Sequence, residues 1–220
     1  MQKFDTPAPI ATVLDVPAGR VRFIAADRAD TVVEVRPADA SKGRDVKAAE
    51  QTRVEYADGV LRIEAPVNNQ ALGHSGSLEV TVQLPAGSRV EAKTASAEFR
   101  AVGRLGDIAY ESAHGQVKID EAASVRLTTD AGDVEVGRLG GPAQISTAKG
   151  DIRIGEAAGG TVVLSTRAGD ISVGAAPGVS ASLDAGTGHG RISNGLRNDG
   201  DARLAVHATT AYGDITARSL

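Results

Sequence analysis

Asp133, Asp151 and Asp170 each stand directly after a glycine in three closely spaced phrases, and Asp214 repeats the arrangement near the end of the chain. Carboxylates that recur in one structural position are the sharpest chemical signal in the sequence. If the phrases stack, the carboxylates recur about 5 Å apart, and like charges at that spacing repel. Backbone N–H groups at a turn relieve such repulsion, because Asp readily bonds backbone there. Lys149 and Arg167 help weakly, as exposed pairs do. A hard cation such as Ca2+ is the alternative, which makes Asp133, Asp151 and Asp170 candidate metal ligands. The calcium-binding nonapeptide roll, however, needs a nine-residue period and two-glycine turns. This chain has neither, so the reading preferred is turn chemistry, with no metal.

The remaining reactive residues give no constellation. His114 and His189 occupy equivalent positions four repeats apart, about 19 Å on a stack, too far to share a metal. His74 falls in a loop and His207 in an outward column, as solvated surface histidines would. "GHSGS" (73 to 77) lacks the final glycine of a nucleophile elbow and is followed by a strand pattern rather than a helix. "GTGHG" (186 to 190) has no helix behind it to present an N-terminus to phosphate. No catalytic residue, cofactor or enzyme activity is expected.

The elements that position these residues are β-strands. The chain has 220 residues, 41% hydrophobic but only 3% aromatic, with no Trp and no Cys. A core of Val, Ile, Leu, Ala and Thr suits thin β layers, and 26 glycines supply many tight turns. Net charge is −4, without the basic face a nucleic-acid binder needs. No window reaches the apolar length of a membrane span, and the start lacks a basic segment followed by an apolar run. The expectation is a cytoplasmic protein without membrane insertion, or an extracellular one if a leader was removed.

Anchoring on Ala97, Gly115, Gly132, Gly150, Gly169, Gly190 and Gly213 exposes a repeat of 17 to 23 residues. Three residues before each anchor stand Thr94, Ser112, Thr129, Thr147, Thr166, Thr187 and Thr210. Two residues after stand Phe99, Val117, Val134, Ile152, Ile171, Ile192 and Ile215. Apolar columns alternate with polar ones, the strand periodicity. Each repeat reads as strand, glycine corner, strand and loop, and such units bury an apolar face only by stacking. The Thr hydroxyls are expected to bond backbone at the corner. The uniform corner favours a parallel β-solenoid of about seven repeats over residues 90–220. An antiparallel hairpin-repeat sandwich is the alternative.

Residues 1–89 read as an N-terminal antiparallel β cap continuous with the repeats. "VEYADGVLRIEA" is a hairpin around Asp58-Gly59, and "RVRFIAADRADTVVEVRP" reads as another through "DRAD". "ADASKGRDVKAAEQT" (38 to 52) is either a loop or a short exposed helix.

The phrase [ST]-x-x-G-D-[IV]-x-[IV], repeated behind a β segment with "PAG" turns, resembles a bacterial domain-of-unknown-function family labelled "putative adhesin". The resemblance implies a β-solenoid-like fold and a binding or scaffolding role, with no catalytic residues to carry over.

The function expected is a non-enzymatic interaction or assembly scaffold, engaging a protein partner or itself. Alternatives are a cation- or glycan-binding module, and a structural protein that self-assembles. The sequence stops at "ITARSL", directly after the last repeat. That repeat is therefore expected to present an open edge, with Thr210, Ile215, Thr216 and Ala217 as interface candidates and a homodimer as one outcome.

Overall fold

The computed structural model describes residues 1–66 and 76–220, in two compact units, Met1–Gly115 and Gln116–Leu220. His74 and the first three residues of "GHSGS" lie outside the described residues. Both units are all-β apart from one helix, and most of their strand pairings are parallel.

The first unit is organised on β2 (Ala11–Ala26). Thr12, Leu14 and Val16, then Val21, Phe23 and Ala25, alternate inward and are buried. β5 (Val60–Glu64) runs parallel to the first half of β2, and β6 (Leu78–Pro85) to the second half. On the other edge β7 (Arg89–His114) pairs in parallel through residues 89–102. Ile63, Leu14 and Ala92 fall in one row, and Val80, Val21 and Phe99 in another. Gly19, opposite Ala97, turns the corner of β2 with φ +128°. The coil geometry thus extends upstream of residue 90.

Antiparallel strands finish this unit. β4 (Arg53–Ala57) lies on β5 through the Asp58-Gly59 turn. Both turn residues have positive φ, +51° and +76°, as a type I′ hairpin requires. β3 (Asp30–Pro37) lies antiparallel on β6, and β1 (Gln2–Asp5) on β3. The hairpin expected through "DRAD" does not form. Both edges of β2 are already taken by parallel partners, so β3 pairs on the far side of β6. Residues 38–52 contain α1 (Gly43–Gln51), which packs on β3 and buries Asp45. The Asp45 carboxylate accepts the Ser77 N–H at 3.0 Å.

Asp30 ties the edge strand down. It accepts Arg28 Nε at 2.7 Å and faces Lys3 Nζ on β1 at 2.9 Å. Hydrogen bonds from Arg28 and then Lys3 hold its pKa at about 2, below the ordinary 3.8. A depressed carboxylate stabilises the fold above its unfolded pKa, and that contribution is lost as pH falls through the folded value. Between pH 3.8 and about 2 the melting temperature of the wild type should therefore converge on that of Asp30→Asn. At pH 7 the β1 amides should lose hydrogen-exchange protection in the variant alone. Equal acid sensitivity in the two proteins would sink the role given to Asp30.

In the second unit every coil contributes two strands. The first-half strands are β8 (Val117–Ala131, through its residues 125–131), β10 (Ala143–Lys149), β12 (Gly160–Ala168), β14 (Ala181–His189) and β16 (Leu204–Tyr212). The second-half strands are β9 (Val134–Leu139), β11 (Ile152–Ala157), β13 (Ile171–Ala175), β15 (Ile192–Gly195) and β17 (Ile215–Ser219), together with residues 117–122 of β8. All pair in parallel and like on like: Val125, Ala143, Val162 and Val206 form one row, and Val134, Ile152, Ile171 and Ile215 another.

The stacking order departs from the sequence order. β12 pairs with β16, and β16 with β14; likewise β13 pairs with β17, and β17 with β15. The last repeat in sequence is the penultimate coil in space, and the repeat before it forms the outer coil. The return segment is fixed by Ser180, whose carbonyl accepts the Arg203 N–H at 2.9 Å and whose hydroxyl accepts the Asp199 N–H at 3.1 Å.

Backbone approaches backbone at the corners. A Cβ on Gly169 would lie 2.0 Å from the Gly150 carbonyl oxygen, and φ there is +155°. Gly43 has open space around the same position. Gly169→Ala should cost about 4 kcal/mol in chemical denaturation and Gly43→Ala under about 1 kcal/mol. Similar midpoints for the two variants would mean that the corner contact does not govern the stack.

Candidate functional site

The repeated phrase builds a hydrogen-bonded seam along the corners of the second unit. The Gly132 N–H donates to the Lys149 carbonyl, Gly150 to Ala168, Gly169 to Tyr212 and Gly213 to His189, each at 2.9 Å. Two residues on, Val134, Ile152, Ile171 and Ile215 donate to the carbonyls of Asp151, Asp170, Asp214 and Arg191. The N–H between these donors has no backbone acceptor in the ladder, and the aspartate supplies one. Asp133 Oδ1 accepts the Asp151 N–H at 2.9 Å and Asp151 Oδ1 the Asp170 N–H at 2.8 Å. Asp170 Oδ1 accepts the Asp214 N–H at 2.7 Å, and Asp214 Oδ1 the Arg191 N–H at 2.8 Å. Each carboxylate thus closes the corner of the next coil in space.

Three threonines serve the glycine carbonyls that this arrangement turns away from the ladder, while Thr147 Oγ1 donates to Lys149 O at 3.3 Å. Thr166 Oγ1 donates to Gly150 O at 3.2 Å, Thr210 to Gly169 O at 3.0 Å and Thr187 to Gly213 O at 3.0 Å. Thr94 instead joins Tyr110 and Ser112 at 2.9 and 3.0 Å. Thr129 Oγ1 is buried without a partner among the described residues.

Asp133, Asp151 and Asp170 therefore sit in one column, each with an oxygen engaged by backbone N–H. No group of three or more His, Cys, Asp or Glu among the described residues has metal-binding proximity. The interface candidates lie inside the stack. β17 is paired on both sides, Ile215 and Ala217 are 1% exposed and Thr210 is buried beneath the corner, while Thr216 faces outward. The coil that ends the second unit is instead β14 with β15. Every residue of β15 is exposed, including Ile192 at 46%.

Two signals in the sequence mark that coil as terminal. Gly190 is followed by Arg191 where the stacked coils carry Asp, so this corner offers no carboxylate to a further coil. Asn194 occupies the row of Val173 and Ala217, an apolar inward row elsewhere. A third feature carries no motif in the sequence. Tyr212, directly before a corner glycine, is 61% exposed, and the His189 ring stacks on it at 4.9 Å. His207 Nδ1 stands 3.3 Å from Asp184 Oδ2 between the same two coils. Among the described residues no helix is long and apolar enough to cross a membrane.

A family model described as Toastrack DUF4097 matches residues 13–219. No curated protein matches. Among solved structures, a putative adhesin from Parabacteroides distasonis is 16% identical with a TM-score of 0.48, over 98% of this chain and 95% of that one. A putative adhesin from Bacteroides fragilis is 11% identical with a TM-score of 0.47, over the same shares. A putative cell adhesion protein from Clostridium sporogenes is 11% identical with a TM-score of 0.41, over 100% and 98%.

If the carboxylate matters as an acceptor, Asp151→Ala should lower stability by about 1 kcal/mol. Asp151→Asn keeps an Oδ1 acceptor and removes a like charge from the column, so it should stay within about 0.5 kcal/mol of wild type. Equal losses in urea titrations would show that charge, and not the hydrogen bond, is what the column needs.

Proposed function

The chain belongs to the Toastrack DUF4097 family, and on that premise we propose that it is a non-enzymatic, adhesin-like interaction scaffold. Its regular outward columns are the surface offered to a partner, and the outer coil of β14 and β15 is the part through which copies associate. The observation that carries this reading is the exposed outer coil. A strand that ends a sheet offers a row of N–H and C=O groups to another chain. Here the strand is short and polar, and Ile192 is its one exposed large apolar side chain. The described titratable groups support the same reading. The carboxylates with depressed pKa, Asp30, Asp39 and Asp199, are each held down by local hydrogen-bond partners.

Solution molar mass by light scattering tests the proposal. A dimer or larger species that Ile192→Lys returns to monomer supports association through the outer coil, because a lysine on an edge strand opposes pairing. Ile215 is no substitute for this test, since a change there disturbs the interior. An oligomer unmoved by Ile192→Lys would rule out this edge. A monomer at every concentration would leave only a separate partner.

A further inference from the structure

The chain has three Phe and three Tyr, and Tyr212 alone among them is exposed, at 61%. Phe4 packs on Tyr56, Phe23 on Phe99, and Phe99 on Tyr110. Tyr212 and His189 together present an aromatic pair to water, and such amphipathic rings are enriched at interfaces.

The residues directly before the corners form one column in register: Ala131, Lys149, Ala168, Tyr212 and His189. The Tyr212 and His189 rings are stacked nearly parallel, 9° apart, with centroids at 4.9 Å. That separation matches the spacing of paired strands, about 4.8 Å, so the rings stand out from the ladder with their faces along the stacking axis. His189 covers one face of Tyr212. The other looks over Ala168, a single methyl group, toward Lys149 two coils away, about 9.6 Å along the axis. Two van der Waals contacts either side of one ring need roughly 7–8 Å. The register therefore leaves a slot one ring thick between the Tyr212 ring and the Lys149 row, floored by the Ala168 methyl group.

Charges of both signs stand in the rows around it. Lys149 and Arg167 are exposed and have no ion-pair partner among the described residues. Across the corner glycine, Asp170 uses Oδ1 for the Asp214 N–H at 2.7 Å, and its Oδ2 has no protein partner among the described residues. We propose that this slot binds a neutral pyranose ring of a glycan. The C–H face of the sugar lies on Tyr212, its hydroxyl oxygens accept from Lys149, and its hydroxyl protons go to Asp170. A polyhydroxylated ring uses donors and acceptors together. An anionic ligand meets Asp170, and a cationic one meets Lys149 and Arg167. The proposal rests on the interaction reading above and assigns that surface a ligand.

The test is a glycan array and saturation-transfer NMR with methyl hexopyranosides on the full chain. Wild type is compared with Tyr212→Ala, Tyr212→Phe and Ala168→Arg, each checked by thermal melt. Expected is binding that falls about tenfold in Tyr212→Ala and also falls in Ala168→Arg, which fills the slot with Tyr212 in place. Tyr212→Phe should retain it, with saturation transfer from the Tyr212 ring in the wild type. Glycan binding unchanged in both Tyr212→Ala and Ala168→Arg overturns the site. Absence of binding to any neutral glycan overturns the ligand class, and a chain that still associates in light scattering then keeps the scaffold reading intact.

Discussion

At the corners of Gly150, Gly169, Gly190 and Gly213 the backbone passes so close to the adjacent coil that no Cβ fits between them. A Cβ at Gly150, Gly169 or Gly213 would fall 2.0 to 2.2 Å from a glycine carbonyl oxygen of the adjacent coil. This contact admits only glycine, and it sets what surrounds it. The crowded carbonyl leaves the strand ladder, and at Gly150 and Gly169 a hydroxyl reaches it, from Thr166 and Thr210. The following N–H loses its natural acceptor, so a carboxylate replaces it. A buried or half-buried polar group left unmet costs about 1–3 kcal/mol. The T-x-x-G-D phrase is therefore a single structural device: one glycine forced by sterics and two side chains that repair its consequences.

The device also explains why so acidic a column is tolerated. Exposed carboxylates about 5 Å apart repel modestly, because water screens them. Each gains a charge-assisted hydrogen bond from backbone, which is the stronger kind. Each aspartate commits one carboxylate oxygen to the architecture and keeps only the second, as Asp170 does, for recognition. The column on the other side of the corner glycine is free of structural duty, and it holds Lys149, Tyr212 and His189.

Much of this was legible in the chain. The alternation around Val125, Leu127 and Thr129, then Val134 and Val136, specifies two strands and a corner, and the structure places them so. The Thr and Asp roles followed from residue chemistry near a turn. The order of coils did not follow, because a repeat pattern assigns each unit a shape and not a neighbour. The clue was present in Arg191 and Asn194, which break the seam and the apolar row of one repeat. It is readable only once the aspartate is known to serve the next coil. Unit 1 was harder for a different reason. Its coil partner is assembled from β5 and β6, separated in sequence by residues 65–77, so no continuous period runs through it. Gly19 carries the corner with "PAG" in place of "GD", and the strand through it reads as two segments rather than one coil.

Magnitudes show why the last two coils exchange places. Pairing β12 with β16 instead of the next strand in sequence joins Asp170 to Asp214, 44 residues apart, where neighbouring coils are joined over 18 or 19. Loop-closure entropy grows slowly, so the longer connection costs less than about 1 kcal/mol. Against this stands what each coil has to bury. The inner position covers Leu204, Val206, Ala208, Ile215 and Ala217 on both sides, and each large aliphatic side chain removed from water contributes about 1.5–3 kcal/mol. The outer repeat offers Leu183, Ala185, Ile192 and Asn194 to the same rows, with Ile192 and Asn194 exposed as it stands. Sequence order would bury Asn194, expose Ile215 and leave the Asp214 N–H facing Arg191 without a carboxylate. Apolar burial outweighs chain connectivity. The same choice puts the most polar coil at the edge and sets the Tyr212–His189 pair beside it, where both rings meet solvent.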